Sequence, residues 1–317
     1  MRQTINGAEL RRMIISAAAS IEIHKQALNE LNVFPVPDGD TGTNMSMTIN
    51  SAAADLRKAE DPELYAASKI AASAMLRGAR GNSGVILSLL MRGISKTLKG
   101  HEVCDGVLWA NALQGGVDAA YKAVMKPAEG TILTVSRLTA AAARDLAGEN
   151  ADIQYVLEQS ISTARSALEN TVNQNPVLKK AGVVDAGGMG FFMILDGMLA
   201  ALQGNDIVAD EAPQTNEQAD FGIFDTEDIT FAYDTVYIVR KNPDVSIDPL
   251  RIYLESIVDS LVIGEDDEAF KVHVHTNIPW EALNESQKYG TLELAKIENM
   301  RMQHDDLAAG RTARSTD

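Results

Sequence analysis

The spacing of apolar residues changes once along this 317-residue chain, and that change divides it. Up to about residue 203 the apolar positions recur every three or four residues. Leu10, Met13, Ile14, Ala17, Ala18, Ile21 and Leu28 are the first set, the stripe of an amphipathic helix. After residue 229 the period drops to two. Residues 229–240 (ITFAYDTVYIVR) alternate β-branched and aromatic side chains as a strand does. Between them, residues 204–228 hold eight acidic side chains and no basic one, the composition of a solvated linker. The sequence therefore predicts an all-α domain over 1–203, an acidic linker over 204–228, a small α/β domain over 229–305 and a coreless tail over 306–317.

Eight helices are expected in the first domain. The first starts near Asn6, with Glu9 placed for a capping box. The second follows Thr43–Asn44, and the third starts at Asp61-Pro62, with proline in the first turn. The others cover roughly 84–98, 105–125, 131–147, 151–172 and 188–203. In the second domain the spacing predicts a strand over 229–240, a helix from Asp248-Pro249 to about Leu261, a strand over 269–275, a helix over 279–289 and a strand over 292–298.

Charge and cysteine content exclude whole classes. A formal charge of -16 opposes binding to nucleic acid, whose phosphates need a basic footprint, and to anionic membranes. A nucleotide remains open, because a cation and backbone N–H groups can reverse the local sign. The single cysteine, Cys104, forms no intramolecular disulfide, reads as a buried structural thiol and points to a reducing, cytoplasmic setting. No apolar run reaches the length of a membrane span, and the first ten residues carry no signal-peptide core.

Chemistry concentrates in three glycine-rich turns. In NVFPVPDGDTGTNM (32–45) the prolines exclude helix and the glycines permit a tight turn. Asp38 and Asp40, one residue apart, can converge on one hard cation such as Mg²⁺. Thr41, Thr43 and Asn44 then open a helix, where hydroxyl, amide and free N–H groups suit phosphate oxygens. A polar turn that merely caps a helix is the plain alternative. An EF-hand is excluded, because the twelfth position from Asp38 is Ile49 and not glutamate. In RGARGNSG (77–84), three glycines precede an apolar helix. Asn82 and Ser83 are donors for phosphate or ribose there, and Arg77 and Arg80 are charges. Close helix packing explains the same glycines equally well, and the pattern is neither a Walker A nor a Rossmann loop. Asp185 sits in a third such turn, AGVVDAGGMGF. In a closed bundle all three would gather at one rim.

These segments, in this order, resemble the DhaL (dihydroxyacetone kinase L-type) superfamily. With KPAEGTILTVSR (126–137), KVHVHTNIPWEAL (271–283) and KIENMRMQH (296–304), they resemble the ATP-binding subunit of bacterial fatty acid kinase over nearly the whole chain. The resemblance implies an eight-helix barrel with ATP and Mg²⁺ at its rim. Asp38 and Asp40 match the family's metal carboxylates, with Asn32 at the place of a third ligand that is a carboxylate in the dihydroxyacetone kinase branch. Thr41, Thr43 and Asn44 match its phosphate stretch. Gly81, Asn82 and Ser83 match a second nucleotide loop, Gly130 and Thr131 a third, and Asp185 with Gly187 a fourth near base or ribose. It also implies a separate DegV-like partner that holds a fatty acid, whose carboxylate would receive the γ-phosphoryl group to give an acyl phosphate. A glycerone-type kinase and a non-catalytic nucleotide-binding regulator are the alternatives. The fatty acid kinase subunit usually continues into a third domain, whereas this sequence stops at Asp317, as a fragment or shortened relative would. The oligomeric state, a homodimer included, is left open.

His273 and His275 lie two apart on a predicted strand and so share a face. Two satisfied histidines are one reading. A zinc site is the other, and it needs further ligands. The family resemblance places a cysteine on the first strand for this purpose, where this chain has Asp234.

Overall fold

A computed structural model of the protein describes residues 2–209, 229–243 and 245–308. The acidic linker beyond residue 209 and the tail beyond 308 lie outside the described residues.

Among the described residues, ten helices make up the first domain. The long ones are α1 (Gly7–Glu30), α2 (Thr41–Lys58), α3 (Leu64–Gly78), α4 (Gly81–Leu98), α5 (Gly106–Ala123), α6 (Ile132–Glu149), α7 (Ile153–Glu169) and α10 (Ala186–Leu202). Between the last two come the short α8 (Thr171–Gln174) and α9 (Pro176–Ala181). Local chemistry sets most starts. Asn6 and Glu9 form the expected capping box on α1. The side chains of Asp105, Thr131 and Asp185 accept from backbone N–H groups at the starts of α5, α6 and α10. One expected start moves: α3 begins after Glu63, not at Pro62. Asp61 takes a positive φ, and the Pro62 and Glu63 backbone packs directly on Gly7 of α1. A two-stranded pairing of β1 (Thr4–Ile5) with β2 (Cys104–Asp105) was not foreseen.

Each long helix packs on the next in sequence, and α10 packs on both α7 and α1, so the contacts run in a circuit. Their apolar stripes bury Leu10, Met13, Ile14, Met45, Leu64, Leu90, Trp109 and Phe191 in one core.

The second domain contains β3 (Tyr233–Lys241), α11 (Asp248–Ile257), β4 (Asp259–Glu265), β5 (Ala269–Thr276), α12 (Pro279–Ser286), β6 (Gly290–Asn299) and α13 (Met300–Ala308). The sheet is antiparallel throughout, in the order β4-β5-β3-β6. Two expectations are corrected. The helix predicted to reach Leu261 stops at Ile257, and the following apolar run is strand β4, paired to β5. The predicted end of the domain at 305 falls inside α13.

The sheet has two unlike faces. Tyr237, Val239, Phe270, Val272 and Val274 form its own core with Leu250 and Leu254 of α11 and Ala282 of α12. The alternate residues, Asp234, Val236 and Ile238 on β3 opposite His275, His273 and Lys271 on β5, occupy the other face. That face meets the helical domain. The Met125 N–H donates to Leu261 O at 3.1 Å, and Val124 bridges Val262. Gly264 lies so close to α3 that a Cβ there would be 2.7 Å from Leu76 Cδ1.

Candidate functional site

Three helix N-termini and one face of the sheet enclose a small acidic pocket. The segment before α2 turns at Gly39, whose φ of 66° is costly for any residue with a Cβ. This turn presents Asp38 and Asp40 together. The Asn32 amide donates to Asp38 Oδ1, and Thr41 Oγ1 donates to Asn32 Oδ1 at 2.6 Å. Asn32 thus offers nitrogen to the carboxylate while its oxygen is engaged by Thr41. Asn44 donates to Asp40 from one turn into α2.

The second turn lies against the first. The Arg80 N–H donates to Thr48 Oγ1 of α2 at 3.2 Å. Gly81 has φ 54°, and a Cβ there would run into the Asn44 amide. Only glycine allows α4 to start this close to α2. The turn before α10 closes the circle: a Cβ on Gly187 would be 3.4 Å from both Ser83 Oγ and Ile132 Cβ. The expected gathering of glycine turns is thus present in the structure.

The sheet supplies the fourth wall. Asp234, His273 and His275 line the same pocket as Asn32, Asp38, Asp40, Thr41, Asn44, Gly81, Asn82 and Ser83. What the sequence presented as two separate sites, some two hundred residues apart, is one cavity. It holds only about 20 Å³, room for one water or bare ion and no more. Through Asn82, Ser83 and Pro35 it borders a cleft of about 350 Å³ lined by Thr131, Ile132, Asp185 and Gly187. Through Pro35, Val36 and His275 it borders a second cleft of about 440 Å³ lined by Val33, Pro37, Val177, Phe231 and Lys180.

Two predicted site residues face elsewhere. Thr43 exchanges hydrogen bonds with Asn29 of α1, at 3.0 Å each way, and does not line the pocket. Gly130 donates its N–H to Thr134 Oγ1 at 2.8 Å, packs against residues 171–175 and lines neither cleft. Arg77, expected as a charge for the site, pairs with Glu268 at 2.9 Å on the surface. Residues that sequence reasoning missed also crowd the pocket. The ion pair of Lys296 with Glu298 on β6 acts electrostatically on Asp40 and Asp234, and His304 of α13 meets Pro37 O at 3.3 Å.

Electrostatics mark the pocket as built for positive charge. Asp38 and Asp40 keep some surface open to the cavity yet are enclosed by protein on all sides. Burial, followed by the charges of Asp40 and Asp234, pushes the Asp38 carboxyl far above the usual range. Burial also raises Asp40 and, with the Asp40 charge, Asp234. Burial, then His275 and Lys271, pushes the His273 imidazole well below its ordinary value. Three carboxylates cannot share so small a volume as anions without a counter-charge. The buried Asp234 Oδ1 and His273 Nδ1 have no hydrogen-bond partner and lie 3.4 Å apart. Ligand atoms of Asp234, His273 and His275 lie within 4.8 Å of one another. Orphaned oxygen and nitrogen acceptors in that arrangement fit a divalent cation. Burial also raises Asp185, to about 7, against hydrogen bonds from the Gly188 and Ile132 N–H groups. Cys104 is buried away from all of this, its thiol pushed up to about 12, as expected of a structural residue.

A helical domain whose glycine turns meet at paired carboxylates, closed by an antiparallel sheet, is the architecture of a kinase-family subunit. Residues 35–200 match the model of the DAK2 domain, and the chain belongs to that family. Residues 230–307 match the FakA-like middle domain of fatty acid kinase. Uncharacterized proteins of Staphylococcus saprophyticus and Staphylococcus haemolyticus are each 42% identical over 97% of this chain. The chain spans 57% of the length of these relatives. Among solved structures, the dihydroxyacetone kinase of C. freundii is similar over 63% of this chain and 36% of its own, with 17% identity and a TM-score of 0.48. No helix among the described residues is long and apolar enough to cross a membrane.

Proposed function

We propose that this chain is a Mg·ATP-dependent phosphotransferase subunit that passes the γ-phosphoryl group to the carboxylate of a fatty acid held by a DegV-like partner. The observation that carries this is the convergence of Asp38 and Asp40 with the N-termini of α2, α4 and α10 around connected cavities. Free N–H groups at helix starts attract phosphate, and the cleft of about 350 Å³ beside Asp185 has the size of a nucleotide site. Asp38 and Asp40 would hold Mg²⁺, which when bound neutralises the phosphate charge that builds up during transfer. Asn82 and Ser83 would orient phosphate oxygens, and Thr131, Asp185 and Gly187 would bound the ribose or base. The cyclic packing of eight long helices supports reading the domain as a barrel with this site at its rim.

The acceptor carboxylate is ionised at neutral pH, so its oxygen attacks phosphorus without a general base. The bond from phosphorus to the bridging oxygen breaks, and its electron pair leaves with ADP. Catalysis then consists of positioning and charge neutralisation. The Asp234, His273 and His275 set would hold a second cation such as Zn²⁺, fixing the sheet against the pocket. A lone, buried, unpaired cysteine suits a cytoplasmic protein.

The narrowness of the acidic pocket favours a second reading, a nucleotide-binding regulator that never opens to an acceptor. Turnover of [γ-³²P]ATP separates the possibilities. Labelled acyl phosphate with a fatty acid-loaded DegV-like partner supports the proposal. Transfer only to dihydroxyacetone on its own partner makes the chain a glycerone-type kinase. Nucleotide binding without transfer to either makes it a regulator.

A further inference from the structure

Strand β5 places Lys271, His273 and His275 on one face. The histidines reach the acidic pocket, but Lys271 has a different target. Its side chain is fully buried. Its Nζ crosses from the sheet into the helical domain and donates to Arg77 O at 3.1 Å and to Ala79 O. These carbonyls end α3, where a helix leaves its last C=O groups without partners and where a cation complements the helix dipole.

The next residues are the ones that matter for phosphate. Arg80 is pinned to Thr48 of α2, and Gly81, Asn82 and Ser83 line the acidic pocket. The turn is therefore held on one side by α2 and on the other by an ammonium group from another domain. The neighbouring strand is cut to fit: Gly264, opposite Lys271 in register, leaves room for Leu76 of α3. Burying a lysine without a carboxylate costs several kcal/mol unless donors are satisfied. Two backbone carbonyls at one helix end meet that requirement. The surface pair of Arg77 with Glu268 nearby adds little by comparison.

We propose that Lys271 is a positioning residue for the nucleotide, a clamp that sets the Gly81–Ser83 turn from behind and links occupancy of that turn to the sheet. The inference rests on the nucleotide reading above and deepens it. A clamp works in both directions: if the sheet improves nucleotide binding, bound nucleotide tightens the sheet by the same free energy.

The test uses the full chain, a fluorescent ATP analogue with Mg²⁺, and hydrogen exchange. Lys271→Met keeps the apolar stem and removes both donors, Lys271→Arg keeps charge and donors, and Glu268→Gln removes only the surface pair. In the wild type, analogue binding should slow exchange in residues 77–84 and in β5. In Lys271→Met the Kd should rise at least about tenfold, the scale of one lost charged hydrogen bond, and the β5 protection should vanish. Lys271→Arg should recover most of the affinity, and Glu268→Gln should bind as the wild type does. Were Lys271→Met to melt at lower temperature yet bind the analogue within twofold of the wild type, the lysine would be structural only and the clamp refuted. Should Lys271→Met fail to fold, the wild-type exchange data decide: protection of 77–84 without β5 overturns the coupling. A wild type that binds no analogue sinks the nucleotide reading itself, a distinguishable result.

Discussion

Asp185 gives the most quantitative handle on this protein. Its carboxyl is 4% exposed and titrates near 7 in the fold, against an ordinary 3.8, chiefly because burial penalises the anion. A carboxyl whose folded pKa is raised binds its proton more tightly in the folded state than in the unfolded chain. Stability from this group is therefore highest at low pH and is lost as pH rises from about 4 to about 7. With those two values, ionisation inside the fold costs about 4 kcal/mol at pH 8 and about 2 kcal/mol at pH 5. Asp185→Asn removes that dependence. Asparagine still caps α10 through one oxygen but cannot accept from both Gly188 and Ile132, an offset of about 1 kcal/mol that does not vary with pH. The readout is the difference in melting temperature between variant and wild type at pH 5 and pH 8. It should shift in favour of the variant by about 2–3 kcal/mol, or roughly 5–10 °C for a domain of this size. An equal difference at the two pH values would show that Asp185 is not an ionisation burden, and the reasoning from burial would fail.

Three further outcomes follow from the same geometry. Asp38→Asn and Asp40→Asn should each abolish phosphoryl transfer while leaving the metal-free protein as stable as the wild type or more so, because each removes a buried like charge; near-normal turnover in either would refute their role. Gly81→Ala should lower stability by about 1–3 kcal/mol, since φ is 54° and the new Cβ meets the Asn44 amide; an unchanged melting curve would mean the two turns are not in contact. Purified protein should take up one Zn²⁺ or Co²⁺ per chain at Asp234, His273 and His275, measured by elemental analysis and Co²⁺ absorbance. Unaltered stoichiometry in His273→Ala would place the ion elsewhere.

Much of this was open to inspection in the linear chain, because it depends on residues close together. Helix starts at Asn6, Thr131 and Asp185 follow from a side chain three positions or fewer from the N–H it accepts. The Asp38-Gly39-Asp40 turn needs only its own glycine to bring two carboxylates together. The alternation that marks β3 and β5 is equally local. Where local chemistry is ambiguous the reading slipped: Leu261, Val262 and Ile263 form a continuous apolar run, which periodicity cannot assign, and pairing with β5 decided it. Thr43 and Gly130 sit in phosphate-like sequence, but the α1 side chain Asn29 and the start of α6 claim them.

Spacing could establish that His273, His275 and Lys271 share a face; it could not say what that face meets. Only the packing of the sheet on the ends of α3 and α4 puts Asp234 and the histidines into the pocket of Asp38 and Asp40, and Lys271 behind the second glycine turn. The reason is physical. Caps, turns and alternation are set by bonds within a few residues, whereas a shared low-dielectric pocket depends on which distant surfaces exclude water together. That exclusion is a property of the packed chain as a whole, and it converts ordinary aspartates and a lysine into perturbed, interdependent groups.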